Sequence, residues 1–345
     1  MNQPTIDPLH IHGYGCVSAA GNSPAELYQA CVSGENIPTT EMERQLGEQT
    51  ITYPVRRVDQ TGLRAAMPRH PRLRRSSSVT KFAITAASQA LGPDRVSAIQ
   101  NGYLNIGVVV TLFNGCVNYS NKFFSEVLDD PSLASPILFP ETVFNAPASH
   151  IAAYLDASGP AYSMIGDSAA WFSGIRVAET WMTAGLVDGC LVICAEELDW
   201  LSCEALGYYA KGTSTTEGAA AVYFEKNTSS LQLGSLNGPH HYTDGGERRS
   251  ALAQAWKTAT PSDSDTLIDG LLGLHAIDRD EQSTLGQWQG KRISPLTTVG
   301  HGMGVNAGLQ TIAALESVRS DDTQGAVVFA AGDNQHAYTA HFSKP

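Results

Sequence analysis

Two hydrophobic patterns alternate along the chain. Short runs of consecutive apolar residues, such as Asn105–Leu112 (NIGVVVTL), are typical of strands buried on both faces of a sheet. Longer segments, such as Ser76–Leu91, carry apolar residues at every third or fourth position, which predicts helices with one buried face. Strands and helices follow one another in this way from residue 9 to residue 331. We therefore expect an α/β protein with largely parallel sheets.

The segment between residues 159 and 195 contains the most complete strand–helix–strand unit. Its pattern predicts a strand over Ala161–Ile165, a helix over Ala169–Thr183 and a second strand over Gly189–Ala195. Two strands joined by a helix give a right-handed parallel crossover. The turn Gly166-Asp167-Ser168 then lies at the tip of the first strand, beside the N-terminus of the helix.

Ser168 has two interpretations in this position. The first turn of a helix has unpaired backbone N–H groups, so a nucleophilic serine there would be exposed and its oxyanion would find donors. In the other interpretation Ser168 only caps the helix, because serine and aspartate are common N-cap residues. The strand–serine–helix pattern alone leaves both interpretations open.

The order of elements begins again near Ser229. The second part has three predicted strands and two predicted helices: strands Leu231–Leu236, Thr266–Leu272 and Ala326–Ala331, and helices Asp278–Trp288 and Val305–Val318. The polar stretch before Asp263 shows no clear period. No low-complexity linker separates the two parts. We therefore expect two α/β halves, residues 1–227 and 228–345, packed into one body.

Charge and composition argue against several classes of partner. The 345 residues carry a formal net charge of −12, which disfavours nucleic acid and anionic membrane surfaces. No apolar run approaches the ~20 residues of a membrane helix. The start MNQPTIDPLH has no export-signal pattern, and the six cysteines are scattered without a CxxC pair. These features predict a cytoplasmic protein with reduced cysteines, no metal site and no membrane segment.

Six segments carry a family resemblance through their order. They are GYGCVSAAGNSPAELYQACVSGENI (Gly13–Ile37), IGVVV (Ile106–Val110), SPILFPETVFNAPASHIAAYL (Ser135–Leu155), GPAYSMIGDSAA (Gly159–Ala170), TEGAAAVYFEK (Thr216–Lys226) and VGHGMGVNAGLQTIAAL (Val299–Leu315). Together they resemble the β-ketoacyl synthases of fatty-acid and polyketide synthesis, over nearly the whole chain. The resemblance implies a thiolase-like α-β-α-β-α sandwich of two βαβαβ-type halves, which normally dimerises through sheet edges.

The resemblance also allows the family's catalytic residues to be sought by position. Ser168 stands where the family has its nucleophilic cysteine, and His301 stands where it has the second catalytic histidine. Asp269 or Gly270 occupies the place of the first histidine, and Leu296 that of the lysine. A serine is a far weaker nucleophile than a thiolate, and losing one oxyanion donor typically costs ~10²–10³ in rate. We therefore expect no ketosynthase activity from this chain.

This pattern of substitutions resembles the chain-length factors, which lack the active cysteine and pair with a competent ketosynthase. The resemblance implies a heterodimer in type II polyketide synthesis, aryl polyenes included, in which this subunit shapes the acyl tunnel. It implies no bound cofactor, with acyl chains delivered on the phosphopantetheine of acyl carrier protein, mainly through the partner. The candidate tunnel residues are apolar and lie near the central strand and the serine turn: Leu112, Phe113, Met164, Trp171 and Phe172.

Two alternatives keep catalysis in this chain. A Ser168–His301 pair, with Asp269 orienting the histidine, would make an acyltransferase or a thioesterase-like enzyme that acts on acyl carrier protein. The run Gly166–Ala170 is also close to the G-x-S-x-G elbow of α/β-hydrolases, but it lacks the second glycine. The first alternative requires Ser168 Oγ to lie within hydrogen-bond reach of a His301 nitrogen.

Overall fold

The computed structural model describes residues 8–320, 323–333 and 336–345. The first part of the chain contains eight strands and seven helices: β1 (Leu9–Val17), α1 (Pro24–Ser33), β2 (Thr40–Leu46), β3 (Gln49–Arg56), α2 (Gln60–Ala66), α3 (Ser78–Gln100), β4 (Ile106–Leu112), α4 (Val117–Asp129), α5 (Ala146–Leu155), β5 (Ala161–Ile165), α6 (Ala170–Thr183), β6 (Gly189–Glu196), α7 (Trp200–Tyr209), β7 (Thr215–Thr216) and β8 (Gly218–Glu225).

The second part adds five strands and four helices within the described residues. They are β9 (Gln232–His241), α8 (Gly245–Ala259), β10 (Thr266–Ile268), α9 (His275–Leu285), β11 (Arg292–Ile293), α10 (Pro295–Val299), α11 (Asn306–Arg319), β12 (Gly325–Ala331) and β13 (His336–Ser343). Short 3₁₀ turns connect several of the helices and strands. The remaining strands β2, β3 and β7 form a small separate sheet.

Ten strands form one mixed sheet in the order β11-β10-β12-β13-β9-β1-β8-β6-β4-β5. This order contains the same arrangement twice, in β1-β8-β6-β4-β5 and in β9-β13-β12-β10-β11. If the five strands of each set are numbered along the chain, both sets have the spatial order 1-5-4-2-3. The two sets meet where β1 pairs with β9 through Leu9↔Leu233 and His10↔Gln232. We call them the N-terminal and C-terminal strand sets. The division into domains at residue 227 stays a prediction.

The expectation of largely parallel sheets is wrong for part of each strand set. In the N-terminal set β5, β4 and β6 are parallel, but β8 and β1 run antiparallel to their neighbours. The C-terminal set repeats this with β13 and β9. Continuous apolar runs misled the prediction because they report burial on both faces, and an antiparallel strand covered on both faces carries the same signal.

Five layers result from helices packed on both sides of the strands. Along β8, alternate residues face different cores: Ala219, Ala221 and Tyr223 join the core under α3, while Ala220, Val222 and Phe224 join the core under α6 and α11. Helices α8 and α9 cover the outer side of the C-terminal strand set. The order of layers is therefore α3/α5, the N-terminal strand set, α6/α11, the C-terminal strand set and α8/α9. This confirms the predicted α-β-α-β-α sandwich.

Helix α11 lies in the central layer, and every residue from Asn306 to Val318 is buried. Gly308 permits this close packing, because a Cβ there would lie 2.1 Å from the Sγ of Cys194 and 2.9 Å from the Cβ of Ala220. Helix α8 was not predicted, because its buried face consists mainly of alanines, which give a weak apolar period. All six cysteines are free, as expected.

Candidate functional site

Ser168 lies in the turn between β5 and α6 and is 3% exposed. Its Oγ donates to the carbonyl oxygen of Ala331 over 3.4 Å. Ser168 is not the helix cap, so that interpretation is wrong. The N-cap residue of α6 is Ala169, and the backbone N–H of Ala169 donates to Asp167 Oδ1 over 3.0 Å. Asp167, and not Ser168, therefore supplies the side chain that accepts from a backbone N–H at this helix start.

His301 lies between α10 and α11 and is also 3% exposed. Its backbone N–H donates to the carbonyl oxygen of Ser214 over 2.9 Å, and its own carbonyl accepts from Thr216 N over 3.0 Å. The ring Nδ1 accepts from Met303 N over 3.2 Å, so Nε2 carries the proton and faces Asp333 Oδ1 at 3.1 Å. Both ring nitrogens of His301 therefore have partners.

The structure brings Ser168 and His301 to the same region without joining them. Ser168 contacts Ala331, His301 contacts Asp333, and the end of β12 carries both of these partners. Within the described residues no hydrogen bond links Ser168 to His301. A serine needs a base within hydrogen-bond reach to become a nucleophile, and this pairing is not present.

Asp269 does not orient His301. It is fully buried, and its carboxylate accepts from the guanidinium of Arg292, from Ser294 Oγ over 2.9 Å and from the N–H of Leu271 over 3.0 Å. Burial raises the pKa of Asp269, and the positive charge of Arg292 opposes that rise. This aspartate is fixed at the end of β10, away from the imidazole.

A small cavity of about 30 Å³ lies beside His301. Gly270, one of the two residues predicted at the place of the family's first histidine, and Leu296, predicted at the place of the lysine, line it together with His301. The space holds one or two water molecules at most, since one water needs at least about 10–15 Å³. The structure thus brings the three positions together, although only His301 keeps a side chain suited to the chemistry.

Glu281 also lines this cavity, and the sequence reasoning missed it. Its Oε1 accepts from Gly270 N over 2.7 Å, and burial raises the pKa of this carboxyl to about 8. A signal was present in the sequence. Ile277, Glu281 and Leu285 are spaced four apart on α9, so the glutamate interrupts the face on which the other two residues are apolar.

Two further buried carboxyls follow strand β6. Glu196 accepts from the backbone N–H of Phe113 and from Asn114 N over 3.3 Å. Glu197 accepts from Asn118 N over 3.0 Å and from Val79 N over 3.4 Å. Burial raises the pKa to about 8 for Glu196 and to about 7 for Glu197. No group of acidic, histidine or cysteine side chains in the described part of the chain is arranged to hold a metal ion.

The five candidate tunnel residues fall into two groups. Leu112, Trp171 and Phe172 are fully buried in the core. Trp171 Nε1 donates to Thr311 Oγ1 over 3.0 Å, which satisfies the indole inside the central layer. Met164 on β5 is half-buried, and Phe113 after β4 is 39% exposed. Only the last two reach the surface, and a role in a tunnel stays a prediction for all five.

Exposed apolar side chains are concentrated between residues 113 and 165. They lie on α4, on the following 3₁₀ turns and on the edge strand β5: Phe113, Phe124, Leu128, Leu133, Ile137, Phe139, Val143, Phe144, Tyr162 and Ile165. We call this set the apolar edge surface. Strand β5 pairs with β4 alone and forms one end of the sheet. Soluble monomers rarely leave such a row of large apolar groups uncovered, so the surface indicates a protein partner.

No helix among the described residues has the length and apolar character that a membrane crossing requires. No family model matches the sequence, and neither does any curated protein. Solved structures, by contrast, match this chain over nearly its whole length.

Three solved structures illustrate the likeness. The ishigamide ketosynthase/chain length factor matches at 17% identity and a TM-score of 0.80, covering 98% of this chain and 99% of that chain. The ketosynthase ApeO in complex with its chain length factor ApeC, from Xenorhabdus doucetiae, matches at 15% identity and a TM-score of 0.79, covering all of both chains. The AntDE:AntF structure, a type II acyl-carrier protein in complex with its ketosynthase bound to the hexaketide, matches at 14% identity and a TM-score of 0.76, covering 99% and 100%.

These likenesses define the fold. The chain has the thiolase-like fold of type II ketosynthases and chain length factors along its full length, as the sequence resemblance predicted. The identities are low, so the activity and the partner have to be argued from the site and from the surface.

Proposed function

We propose that this chain is a non-catalytic chain-length-factor-like subunit of a type II polyketide system, which pairs with an active ketosynthase. The observation that carries the proposal is the apolar edge surface, a set of exposed apolar side chains between β4 and the edge strand β5 and on β5 itself. An active ketosynthase of the same fold is the partner that this edge fits best. In two of the similar structures a ketosynthase and a chain length factor occur together.

The site supports the absence of condensation chemistry. The reaction implied by the family resemblance needs a thiolate and two histidines. Here Ser168 donates to a backbone carbonyl, and Leu296 stands at the expected place of the lysine. Of the two residues expected at the place of the first histidine, Asp269 is bonded to Arg292 and Gly270 has no side chain. His301 is held between Asp333 and the N–H of Met303. A decarboxylation oxyanion at this place would meet at most one histidine donor.

The candidate tunnel residues have separate roles in this proposal. Trp171 and Phe172 are fully buried on the helix that follows Ser168, and in this proposal they occupy the space that an acyl group would need in this chain. Phe113 and Met164 face the partner beside the apolar edge surface, and there they limit how far the partner's acyl chain extends. No cofactor is bound, and the acyl chains arrive on the phosphopantetheine of acyl carrier protein, mainly through the partner. Aryl polyenes are one product class that fits.

Co-expression with the ketosynthase encoded nearest to this chain tests the proposal. We expect the two chains to co-purify as a heterodimer, to make a product of defined length, and to leave no acyl group on this chain by intact-mass measurement. The variant Ser168→Ala should keep both the heterodimer and the product. A purified chain that is a stable homodimer with an acyl group on Ser168 would instead establish the acyltransferase alternative.

A further inference from the structure

Glu196 connects the end of one central strand to the turn that follows another. It is the last residue of β6 and is 3% exposed. Its Oε1 accepts from the backbone N–H of Phe113, and its Oε2 accepts from Asn114 N over 3.3 Å. Phe113 and Asn114 are the first two residues after β4. The carboxyl therefore holds the turn that carries the exposed Phe113 ring.

A second segment encloses the same carboxyl. A Cβ on Gly304 would lie 2.5 Å from Glu196 Oε1 and 3.2 Å from Phe113 N, so only glycine leaves room there. Gly304 lies in the short turn that leads from His301 into α11. The side chain of Asn114 also donates to Ser202 Oγ and, over 3.3 Å, to Asp199 Oδ2. The turn after β4 is thus fixed mainly by groups from β6 and from the segment that follows it.

In the described part of the chain, the charged groups that act on Glu196 are carboxyls, with no cation among them. The titratable groups that interact with it from the packed elements are Glu197, Asp199, Cys194 and Cys116. Burial raises the pKa of Glu196 to about 8, while the two backbone N–H donors oppose that rise. An ionised carboxylate accepts at both oxygens, whereas a protonated one uses one oxygen as a donor. Protonation therefore weakens the contact with one of the two N–H groups.

We propose that Glu196 is a positioning residue for Phe113: its carboxyl group fixes the turn that presents this ring to the partner, and so sets the acyl length at which the ring acts. This inference rests on the proposed function, because the acyl chain belongs to the partner. The contact of Glu196 with the turn can be tested in the isolated chain.

Amide NMR of the chain labelled with ¹⁵N-phenylalanine tests the contact. The chain has ten phenylalanines, and the signal of Phe113 is the one that Phe113→Leu removes. We expect its amide proton to move by several tenths of a ppm between pH 7 and pH 9 in the wild type and to stay fixed in Glu196→Gln. Glu197→Gln is the matched control. Glu197 is also buried, but its oxygens accept from Asn118 and Val79, so its loss should leave the transition in place.

The second measurement is product length in the heterodimer. Glu196→Gln should keep the heterodimer but change the ratio of long to short products at least twofold, in the same direction as Phe113→Ala, whereas Glu197→Gln should not. A fixed Phe113 signal in the wild type, or an unchanged product ratio in Glu196→Gln, overturns the inference. If the wild-type chain forms no heterodimer, the proposed function fails, and the amide measurement still decides whether Glu196 holds the turn.

Discussion

The N-terminal and C-terminal strand sets share one topology but end in different edges. The edge strand β5 carries exposed Tyr162 and Ile165, and the connection from β4 to β5 exposes most of the apolar edge surface. The corresponding edge strand β11 is two residues long, and Arg292 on it pairs with Asp269. Beyond Tyr209, no large hydrophobic side chain of the described residues is exposed. The N-terminal half thus exposes an apolar edge that a partner could cover. The C-terminal half ends in a short strand whose arginine is paired within the chain.

In the proposed function, this difference identifies the N-terminal strand set as the half that binds the partner. Short, charged edge strands prevent pairing with other chains, whereas an apolar edge invites it. The C-terminal part of the chain supplies Gly270, Leu296 and His301 to a cavity of about 30 Å³. The N-terminal set supplies the surface. In the proposed function, the first region has no reaction to perform and the second binds the partner.

The largest expected effect comes from placing a charge on the apolar edge surface. Phe124 is 64% exposed on α4, so Phe124→Asp should leave the fold intact and weaken heterodimer formation on the order of 10–100-fold. Co-purification with the ketosynthase and analytical ultracentrifugation measure this. Tyr103→Asp is the control, because Tyr103 is 84% exposed but lies outside the apolar edge surface. Equal assembly of the two variants would mean that the partner binds elsewhere.

A smaller effect separates the buried tunnel candidates from the exposed one. Trp171→Ala should lower the free energy of unfolding by about 3–5 kcal/mol, because it empties a fully buried site and removes the donor to Thr311. Phe113→Ala should cost less than about 1 kcal/mol, because that ring is 39% exposed, and it should lengthen the product. Denaturant unfolding measures the change in the free energy of unfolding, and the mass of the product measures its length. A stable Trp171→Ala variant that lengthens the product would place the tunnel behind Ser168 instead.

The smallest effect concerns the dependence of stability on pH. Burial raises the pKa of Glu281, in the C-terminal half, from 4.5 to about 8, so the folded state holds its proton more tightly than the unfolded state. The stability from this proton is fully present below about pH 4.5 and is lost as pH rises through about 8. Glu281→Gln should therefore flatten the fall in Tm between pH 5 and pH 9, by a few degrees.

Thermal unfolding at several pH values tests this, and Glu35→Gln on the exposed surface is the control. Glu196 and Glu197 in the N-terminal half should contribute in the same direction, because burial raises their pKa values to about 8 and about 7. An unchanged slope in Glu281→Gln would show that this carboxyl is ionised at neutral pH in the folded chain.

The sequence by itself determined the class of fold, and it predicted the repeat of the strand order that the sheet shows. Apolar periodicity indicates which residues are buried. In a layered sandwich the central strands are buried on both faces and the helices on one. The local pattern alone was therefore enough to locate β4, α6 and the serine turn. Residue type at Ser168, at Asp269 or Gly270, and at Leu296 is also the basis for expecting that the family's reaction is lost.

Only the tertiary structure decided which groups meet. Whether Ser168 reaches His301 depends on how β12 and the turn before α11 pack, and the answer is that each contacts a different residue at the end of β12. The contact of Glu196 with Phe113 joins the ends of two strands that are distant in the chain. A local sequence pattern therefore cannot predict it. The same holds for the open edge at β5. Burial follows from local periodicity, but hydrogen-bond partners and sheet edges follow from strand order, which local patterns do not encode.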